Sequence, residues 1–578
     1  MPEALSLALV PLVFGLTVIG PGLLLVRRRP WDPIEKATAA LALSILLVGQ
    51  LSFACGVLRL APAVRILVLA ACAAATCASL PAIARRVRSD AETRRALLGF
   101  AVLLVWALSL QAVVRNYSGG NLVYDWLDHY ERSKFFLGEA PLFKPFSGAL
   151  LPARPPLLNA FAAQVLALTR TRFACYQMTA GLLGVLAYFP ILLVARLFSR
   201  ARTLPGTLAI ALMFQPMFVQ NVSYSWTRLT AVFFVLAAVA FYVGGWRAAD
   251  AGRTVFAFLC GAAAILTHYS SAPYVLFLAL HFLLFVLPRR ERPLRQLAGI
   301  AAAAAIVLGP WLLWSSAVYG GGATIALGFL SSGRPLPGLG ANLTKAALNL
   351  RDTFVPHLFR EVPRHPASEG AWGRLHDDTF LMYQGNLPLA LGALGAILLA
   401  IEAARSLRRT PPGPRADTAR FWCALAAFVI LTGIGVQGGR EPFGLAHTAQ
   451  QPLVMLGVAF LVARFEGWPR WLRLLAAAGM LCDAVFGVLM HFWMQSYPIP
   501  FDAAWRGPLG LTQQDLTSMM AGWNWGEKIA GPHLFVADAL GGLVWLPRCL
   551  VATLFLLAAG RLLRMAGRPG VAPRSDRA

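Results

Sequence analysis

The sequence predicts an all-α polytopic membrane protein with about 13 to 15 transmembrane helices, and three observations lead to this prediction. Of the 578 residues, 58% are hydrophobic and 13% are charged, a balance far more apolar than that of a water-soluble domain. Apolar windows of roughly 20 residues, the length that crosses a bilayer as a helix, recur from Leu5–Val26 to the C-terminus. Basic residues gather between these windows.

The basic clusters predict the orientation of the chain. They are Arg27–Arg29, Arg85–Arg95, Arg289–Arg295 and Arg405–Arg409. Loops rich in Lys and Arg stay on the cytoplasmic side, so the less basic loops between them are predicted to face outward. The net charge of +25 then matches anionic lipid at the inner leaflet, and it excludes nucleic acid because the charge does not gather in one domain or on one face.

The alternation of sides divides the chain into seven segments, and the long ones of mixed polarity face outward. The segments are 1–114 with four N-terminal transmembrane helices, 115–173 as a first extracytoplasmic loop with an acidic motif and interfacial helices, 174–318 as a transmembrane core, 319–380 as a second extracytoplasmic loop, 381–495 with further transmembrane helices, 496–536 as a third extracytoplasmic loop, and 537–578 with the last helix and a basic cytoplasmic tail. Function is therefore expected on the outward face.

The densest group of reactive side chains lies in the first outward loop, within residues 124–134. If this segment is helical, Asp125, Asp128, His129 and Arg132 share one face, because they are spaced by three, four and seven. Two neighbouring carboxylates near a low-dielectric boundary are expected to raise each other's affinity for a proton, which suits a general base. His129 and Arg132 oppose that shift.

The same segment has an alternative interpretation without catalysis. An interfacial helix with a solvated charged face needs no substrate, and Trp126, Leu127 and Tyr130 supply the apolar and amphipathic surface that lies at the level of lipid headgroups. The cluster alone does not decide between the two interpretations.

Further motifs tie this loop to a known family. The acidic motif is followed by Pro155-Pro156-Leu157 and a Leu-rich membrane helix, and Thr267-His268-Tyr269-Ser270 and Gly309-Pro310-Trp311 come later. This pattern resembles the GT-C superfamily, membrane glycosyltransferases that use polyprenyl-phosphate-linked sugars, such as protein mannosyltransferases and the aminoarabinose transferases of lipid A. The resemblance covers most of the chain loosely and residues 115–200 more closely.

The resemblance implies a GT-C-like fold and an inverting transfer, in which a loop carboxylate deprotonates the acceptor and the lipid phosphate leaves. Asp125 matches the first acidic residue of the family motif and is the preferred base, with Asp128 as the second candidate. The acidic residues stand three apart here, whereas the family has them adjacent or one apart. Three extra helices also precede the loop, so the choice of carboxylate stays open.

The leaving phosphate requires cations at the outward interface. Arg154, Arg228 and His268 with Tyr269 are the predicted donor phosphate-binding residues, at similar predicted depth. For each of the three positions the alternative is a side chain that reaches the headgroups or caps a helix end. The predicted supporting residues are His129, Glu131, Arg132 and His447.

Cofactor and partners follow from the same residues. Asp125 and Asp128 offer oxygen ligands for a divalent cation, Mg or Mn, although no spacing here is diagnostic of a metal site. The expected partners are a polyprenyl-phosphate sugar donor, membrane lipids, and a glycan, lipid or protein acceptor. The expected location is the plasma (inner) membrane, with the active site facing the extracytoplasmic side.

Two other functions fit a polytopic protein. An O-antigen ligase or polymerase is expected to place its main functional loop late in the chain, whereas the acidic segment here is early. A lipid-linked glycan transporter or flippase is expected to have ionisable residues inside its helices along a path, whereas most charge here lies in loops. Both observations favour the glycosyltransferase.

Overall fold

A computed structural model describes residues 3–115, 125–144, 146, 150–322, 338–341, 343, 344, 347, 393–409, 414–436, 451–496 and 535–568. Every regular element within these residues is a helix, which confirms the predicted fold class. The α-helices used below are α1 Glu3–Val26, α2 Pro33–Val57, α3 Pro62–Ser89, α4 Ala91–Gln111, α5 Asp125–Phe136, α6 Leu157–Leu168, α7 Phe173–Val185, α8 Tyr188–Arg196, α9 Leu204–Phe214, α10 Pro216–Ser223, α11 Arg228–Arg247, α12 Ala251–Thr267, α13 Ala272–His281, α14 Pro293–Tyr319, α15 Ala393–Arg409, α16 Pro414–Val436, α17 Gln451–Arg464, α18 Arg470–Leu489, α19 Val536–Leu540 and α20 Trp545–Gly567.

The described residues contain 10 helical spans that are long and apolar enough to cross a membrane. The spans are Ala4–Val26, Pro33–Val57, Pro62–Ser89, Ala91–Gln111, Phe173–Arg196, Arg228–Arg247, Tyr269–Arg289, Pro293–Tyr319, Arg470–Phe492 and Val536–Gly567. Three shorter apolar helices, α6, α9 and α12, accompany these spans. The chain is a multi-pass membrane protein.

The helix ends fall into two groups at opposite ends of the bundle. At the start of α2, Glu35 pairs with Arg253 at 2.8 Å, close to the start of α12. At the other end of α2, a Cβ atom added to Gly56 would lie 2.7 Å from the carbonyl oxygen of Phe136, which ends α5. Because α2 has 25 residues, these ends are separated by about 37 Å. We call them the basic end and the motif end.

The N-terminal helices approach one another closely because small residues line their contacts. A Cβ atom at Gly22 of α1 would overlap the carbonyl oxygen of Ala40 in α2, and one at Gly20 would overlap the backbone of Thr76 in α3. The Gly22 backbone N–H also donates to Ser44 Oγ at 2.8 Å. Small residues of this kind let transmembrane backbones pack against each other. These closely packed helices support α5 and α6.

Candidate active site

A buried ion pair on α5 forms the centre of the site. Asp128 Oδ2 lies 2.9 Å from Arg132 Nε, with the two side chains 4% and 1% exposed. The other carboxylate oxygen, Oδ1, is buried and has no hydrogen-bond partner among the described residues. Arg132 also donates to the carbonyl oxygens of Leu151 at 2.8 Å and Phe146 at 3.4 Å. The guanidinium therefore holds α5 against the turn that leads to Arg154.

The environment of Asp128 differs from the expected one. Burial disfavours its charged form, but the charges of Arg132, His129 and Arg154 more than offset that cost and lower the pKa of Asp128 to about 2. The expected rise in proton affinity is thus wrong for Asp128, because the guanidinium of Arg132 lies next to its carboxylate. The alternative of a solvated charged face is also wrong, since Asp128, His129 and Arg132 are 6%, 5% and 1% exposed.

His129 is a neutral ring with a defined tautomer. Its Nδ1 lies 3.1 Å from Oδ1 of Asn159 on α6, so Nδ1 donates and Nε2 is left as an acceptor. Burial outweighs the attraction of Asp128 and lowers the pKa of His129 to about 4. Sequence reasoning missed Asn159, for which the one available signal was a polar residue in the first turn of an otherwise apolar helix.

Arg154 supplies a cation beside this pair. It directly follows the 3₁₀ turn Leu151–Ala153, and its guanidinium forms no hydrogen bond or ion pair with a described residue. Its charge lowers the pKa of both Asp128 and His268, which places it near each of them. Arg154 is therefore available to an anion.

His268 ends α12 and contributes a neutral donor. Its Nδ1 lies 3.3 Å from the backbone nitrogen of Ser270 and 2.8 Å from Ser270 Oγ. Because a backbone N–H can only donate, Nδ1 accepts and the proton of the neutral ring is on Nε2. Burial, with the charges of Arg154 and Arg228, holds the pKa of His268 well below its ordinary value. His268 thus caps a turn, as the alternative interpretation states. Its Nε2–H is also a donor, in addition to the guanidinium of Arg154.

Tyr269 acts on the turn that precedes Arg154. Its hydroxyl donates to the carbonyl oxygen of Pro152 at 3.2 Å and lies 3.2 Å from Nε1 of Trp311, which donates to it. This geometry links Tyr269 to the turn that precedes Arg154, and its predicted contact with phosphate stays a prediction. Trp311, from the Gly-Pro-Trp motif, supports the same contact.

Arg228 lies at the start of α11 and stacks on an aromatic ring. Its guanidinium carbon is 3.6 Å from the centre of the Trp226 ring, and that ring is 3.9 Å from the ring of Tyr224. The hydroxyls of Ser225 and Thr227 and Nε1 of Trp226 are buried and have no hydrogen-bond partner in the described part of the chain. Sequence reasoning singled out Arg228 but missed these three polar groups, which no motif marks.

The apolar side of α5 faces protein and not lipid. Leu127 and Tyr130 are 6% and 7% exposed, and the Tyr130 ring lies 5.7 Å from the rings of Phe173 and Tyr176 on α7. Leu127 and Tyr130 are therefore covered by protein, and the expectation that they lie at the headgroup level stays a prediction. Burial of the apolar side against α7 turns Asp128, His129 and Arg132 toward α6 and the turn before Arg154.

The remaining predicted residues stand apart from this group or cannot be compared. Glu131 pairs with Lys134 at 3.0 Å and Lys144 at 2.9 Å, so two lysines neutralise it. Asp125 begins α5, but its side chain lies outside the described part of the structure, as does the whole of His447. Among the described residues no group of three or more His, Cys, Asp or Glu side chains can hold a metal ion. The Mg or Mn site on Asp125 and Asp128 stays a prediction.

Six predicted residues thus come together at the motif end, which we call the site cluster. They are Asp128, His129, Arg132, Arg154, Arg228 and His268. They stand on α5, on the turn before α6, at the start of α11 and at the end of α12. The molecule is therefore a polytopic helical membrane protein with a buried, cation-rich site at one end of its bundle.

Comparison with known proteins gives matches among solved structures alone. No family model matches the sequence, and no curated protein matches it. The chain is similar to the crystal structure of ArnT from Cupriavidus metallidurans bound to undecaprenyl phosphate, at 15% identity and a TM-score of 0.46, over 82% of this chain and 76% of that one. The apo structure of the same protein matches at 15% identity and a TM-score of 0.46, over 83% of this chain and 77% of that one.

At 15% identity the likeness concerns the course of the chain alone and assigns no residue a role.

Proposed function

We propose that this chain is an inverting membrane glycosyltransferase of the GT-C type, which takes a sugar from a polyprenyl phosphate and attaches it to an acceptor on the extracytoplasmic side. The observation that supports this proposal is the convergence of Arg154, Arg228 and His268 beside the Asp128–Arg132 pair. Positive charges outnumber negative ones in the cluster even when Asp125 is counted. A buried excess of cations suits an anionic ligand, and the leaving group of the proposed reaction is a phosphate.

The proposed step transfers the sugar by displacement at its anomeric carbon. The acceptor oxygen attacks that carbon from the face opposite the lipid phosphate, the bond from carbon to phosphate oxygen breaks, and the phosphate keeps the electron pair. Arg154 and the Nε2–H of His268 donate to the phosphate oxygens, where negative charge increases. The Nε2–H of His268 is already set by the contacts of Nδ1 with Ser270, so this donor needs little reorganisation during the reaction.

We assign the base role to Asp125 and a positioning role to Asp128. Asp128 has a pKa of about 2 and is held by Arg132, which makes it a poor acceptor of a proton at neutral pH. Asp125 stands one turn earlier on the same helix face. In this proposal Asp125 takes the proton of the acceptor, while Asp128 fixes the guanidinium that orders the turn before Arg154.

The sugar itself requires polar partners, and the segment before α11 offers them. The hydroxyls of Ser225 and Thr227 and the indole N–H of Trp226 lie beside Arg228, buried and without described partners. Hydroxyl and indole groups of this kind suit the hydroxyls of a sugar ring. The expected Mg or Mn ion on Asp125 and Asp128 is a separate proposal, which an assay with EDTA and with each ion added back decides.

We propose the plasma membrane as the location, with the motif end outward. The arginines that end α1 and α3 and precede α14 lie at the basic end, which the distribution of positive charge predicts to be cytoplasmic. Cysteines introduced at Arg172, exposed at the motif end, and at Arg88, exposed at the basic end, test this. A membrane-impermeant maleimide is expected to label R172C in intact cells and R88C after permeabilisation alone. The reverse pattern would contradict the orientation.

Transfer is tested in membrane vesicles with undecaprenyl phosphate carrying radiolabelled mannose or aminoarabinose. Asp125→Asn is expected to abolish transfer, and Asp128→Asn to lower it together with stability. Full activity of D125N would contradict the assignment of Asp125 as the base. Movement of the labelled lipid across the membrane without transfer would favour the flippase.

A further inference from the structure

A second cavity lies at the basic end of the bundle, and the proposed reaction does not use it. Its volume is about 970 Å³, and it is formed where α1 and α2 approach the starts of α12 and α14. Five arginines line it, against a single acidic residue, Glu291. They are Arg29, Arg289, Arg290, Arg292 and Arg295. We call this cavity the arginine pocket.

Most of these arginines lack a partner. The guanidinium groups of Arg29, Arg289, Arg292 and Arg295 form no hydrogen bond or ion pair with a described residue. Nearby Arg253 shows the opposite arrangement, because it pairs with Glu35 and with Asp250 at 2.8 and 2.9 Å. The protein thus neutralises Arg253 and leaves these four arginines exposed to an outside anion.

The pocket also has apolar walls and an unsatisfied polar group. Leu43, Val255 and Leu259 line it on the side of the bundle. Gln296, 5% exposed, lines it too, and its Nε2 has no acceptor among the described residues. A buried amide N–H without an acceptor is costly unless a ligand satisfies it. Cations, a donor and an apolar wall in one cavity match an amphiphile with an anionic head.

The arginine pocket is separate from the site cluster. Ala251 and Gly252, at the start of α12, line the pocket, whereas His268 follows the last residue of the same helix. The helix has 17 residues, so the two sites lie about 25 Å apart along its axis. A ligand in the pocket therefore meets the opposite face of the membrane from the proposed donor phosphate.

We propose that the arginine pocket binds one anionic glycerophospholipid from the leaflet at the basic end. The phosphodiester lies among the arginines and accepts from Gln296, and an acyl chain runs along Leu43, Val255 and Leu259. Basic pockets between transmembrane helices are suited to anionic headgroups. The apolar wall favours a lipid over free phosphate, which has no chain to place there.

The test uses the purified full-length protein and short-chain lipids. Native mass spectrometry counts bound dioctanoyl phosphatidylglycerol, with dioctanoyl phosphatidylcholine and inorganic phosphate as comparisons. We expect one tightly retained phosphatidylglycerol, weak retention of phosphatidylcholine, and no displacement by equimolar inorganic phosphate. The double variant R292S/R295S is expected to weaken binding at least about tenfold. Val255→Trp, which fills the apolar wall and keeps every charge, is expected to weaken it as well.

The matched control is R85S/R88S, which removes two exposed arginines of the basic end that do not line the pocket. It is expected to bind phosphatidylglycerol like the unaltered protein, and size-exclusion profiles report whether each variant is folded. Equal losses of phosphatidylglycerol binding in both double variants would show that the lipid binds to diffuse charge, and would contradict the arginine pocket as the binding site. Displacement by inorganic phosphate, or unchanged binding in V255W, would contradict the proposal that the ligand of the pocket is a lipid. Transfer activity is measured separately, so failure here leaves the proposed reaction untouched.

Discussion

The two ends of the bundle both concentrate arginine, but they place it in opposite ways. At the motif end Arg132 is 1% exposed and is held by one carboxylate and by backbone carbonyl oxygens. At the basic end Arg292 and Arg295 are exposed and have no described partner. Burial with fixed partners gives an arrangement that is already set for one geometry. Exposure without partners gives charge that adapts to a mobile headgroup.

This difference predicts which end tolerates change. A buried charge that loses its partner remains buried and uncompensated, whereas an exposed arginine that is removed leaves only water behind. Substitutions of the buried, paired residues at the motif end should therefore affect folding and catalysis together. Substitutions at the basic end should affect lipid binding alone.

The largest expected effect is on stability. Arg132→Met leaves Asp128 as a buried charge without a partner and is expected to cost about 3–5 kcal/mol of unfolding free energy. Glu131→Gln, on the same helix, breaks more exposed pairs and is expected to cost about 1 kcal/mol or less. Thermal unfolding in detergent measures both. Equal shifts would show that burial does not distinguish the two ion pairs.

The next effect is on transfer. Arg154→Gln removes a donor to the phosphate and is expected to lower kcat about 100- to 1000-fold, with the unfolding midpoint little changed. Arg85→Gln removes the same charge from the basic end and serves as the control, with kcat expected within about twofold of the unaltered protein. If both variants lose activity alike, the effect of Arg154 is one of overall charge and not of position.

A smaller effect concerns pH. His129 has a pKa of about 4 in the folded protein against an unfolded value of about 6.5, so the unfolded state binds more protons between these values. Stability is therefore full above pH 6.5 and falls as the pH drops toward 4, by about 1.4 kcal/mol per pH unit for one such group. The lowered pKa of His268 acts in the same direction.

The variant His129→Gln isolates this contribution. Its unfolding midpoint, measured in detergent from pH 7 to pH 4.5, is expected to depend less steeply on pH than that of the unaltered protein. Identical slopes would show that His129 is not held neutral in the folded state.

The smallest effect is that of salt. At 0.5 M salt the Debye length is shorter than the roughly 10 Å found at 0.1 M, so binding of phosphatidylglycerol to the exposed arginines is expected to weaken severalfold. The KM for the polyprenyl donor is expected to change less than about twofold, because four of the six residues of the site cluster are buried and Arg154 and His268 are half-buried. If salt weakened phosphatidylglycerol binding and donor binding to the same extent, the proposed difference between the two ends would be wrong.

Much of the site was predictable because helix spacing and membrane depth are properties of the sequence. The three- and four-residue intervals placed Asp128, His129 and Arg132 on one face, and the structure has them together. The arginine clusters indicated which helix ends share a side, and Arg154, Arg228 and His268 do meet at one end.

The partners of these side chains were not predictable, because they depend on contacts between distant segments. Tyr269 donates to Pro152, 117 positions earlier, and no local pattern couples the two. The protonation of Asp128 was mispredicted because spacing placed Arg132 on the same helix face but could not show that the two side chains form a buried ion pair. Asn159 lies in a largely apolar helix and Trp226 lies between two hydroxyl residues before α11, and no motif marks either of them as part of the site.

The contact between α2, α3 and α5 concerns which helices belong to the smallest part of this protein that can fold on its own. Arg65 of α3 donates to the carbonyl oxygen of Phe136 at 2.6 Å, to Ser52 at 2.7 Å and to Gln164 at 3.3 Å. Two helices that precede α4, namely α2 and α3, thus anchor the end of the helix that bears Asp128. A protein shortened to begin at α4 would lose this anchor, so these helices are integral to the fold and cannot be treated as a detachable membrane tether.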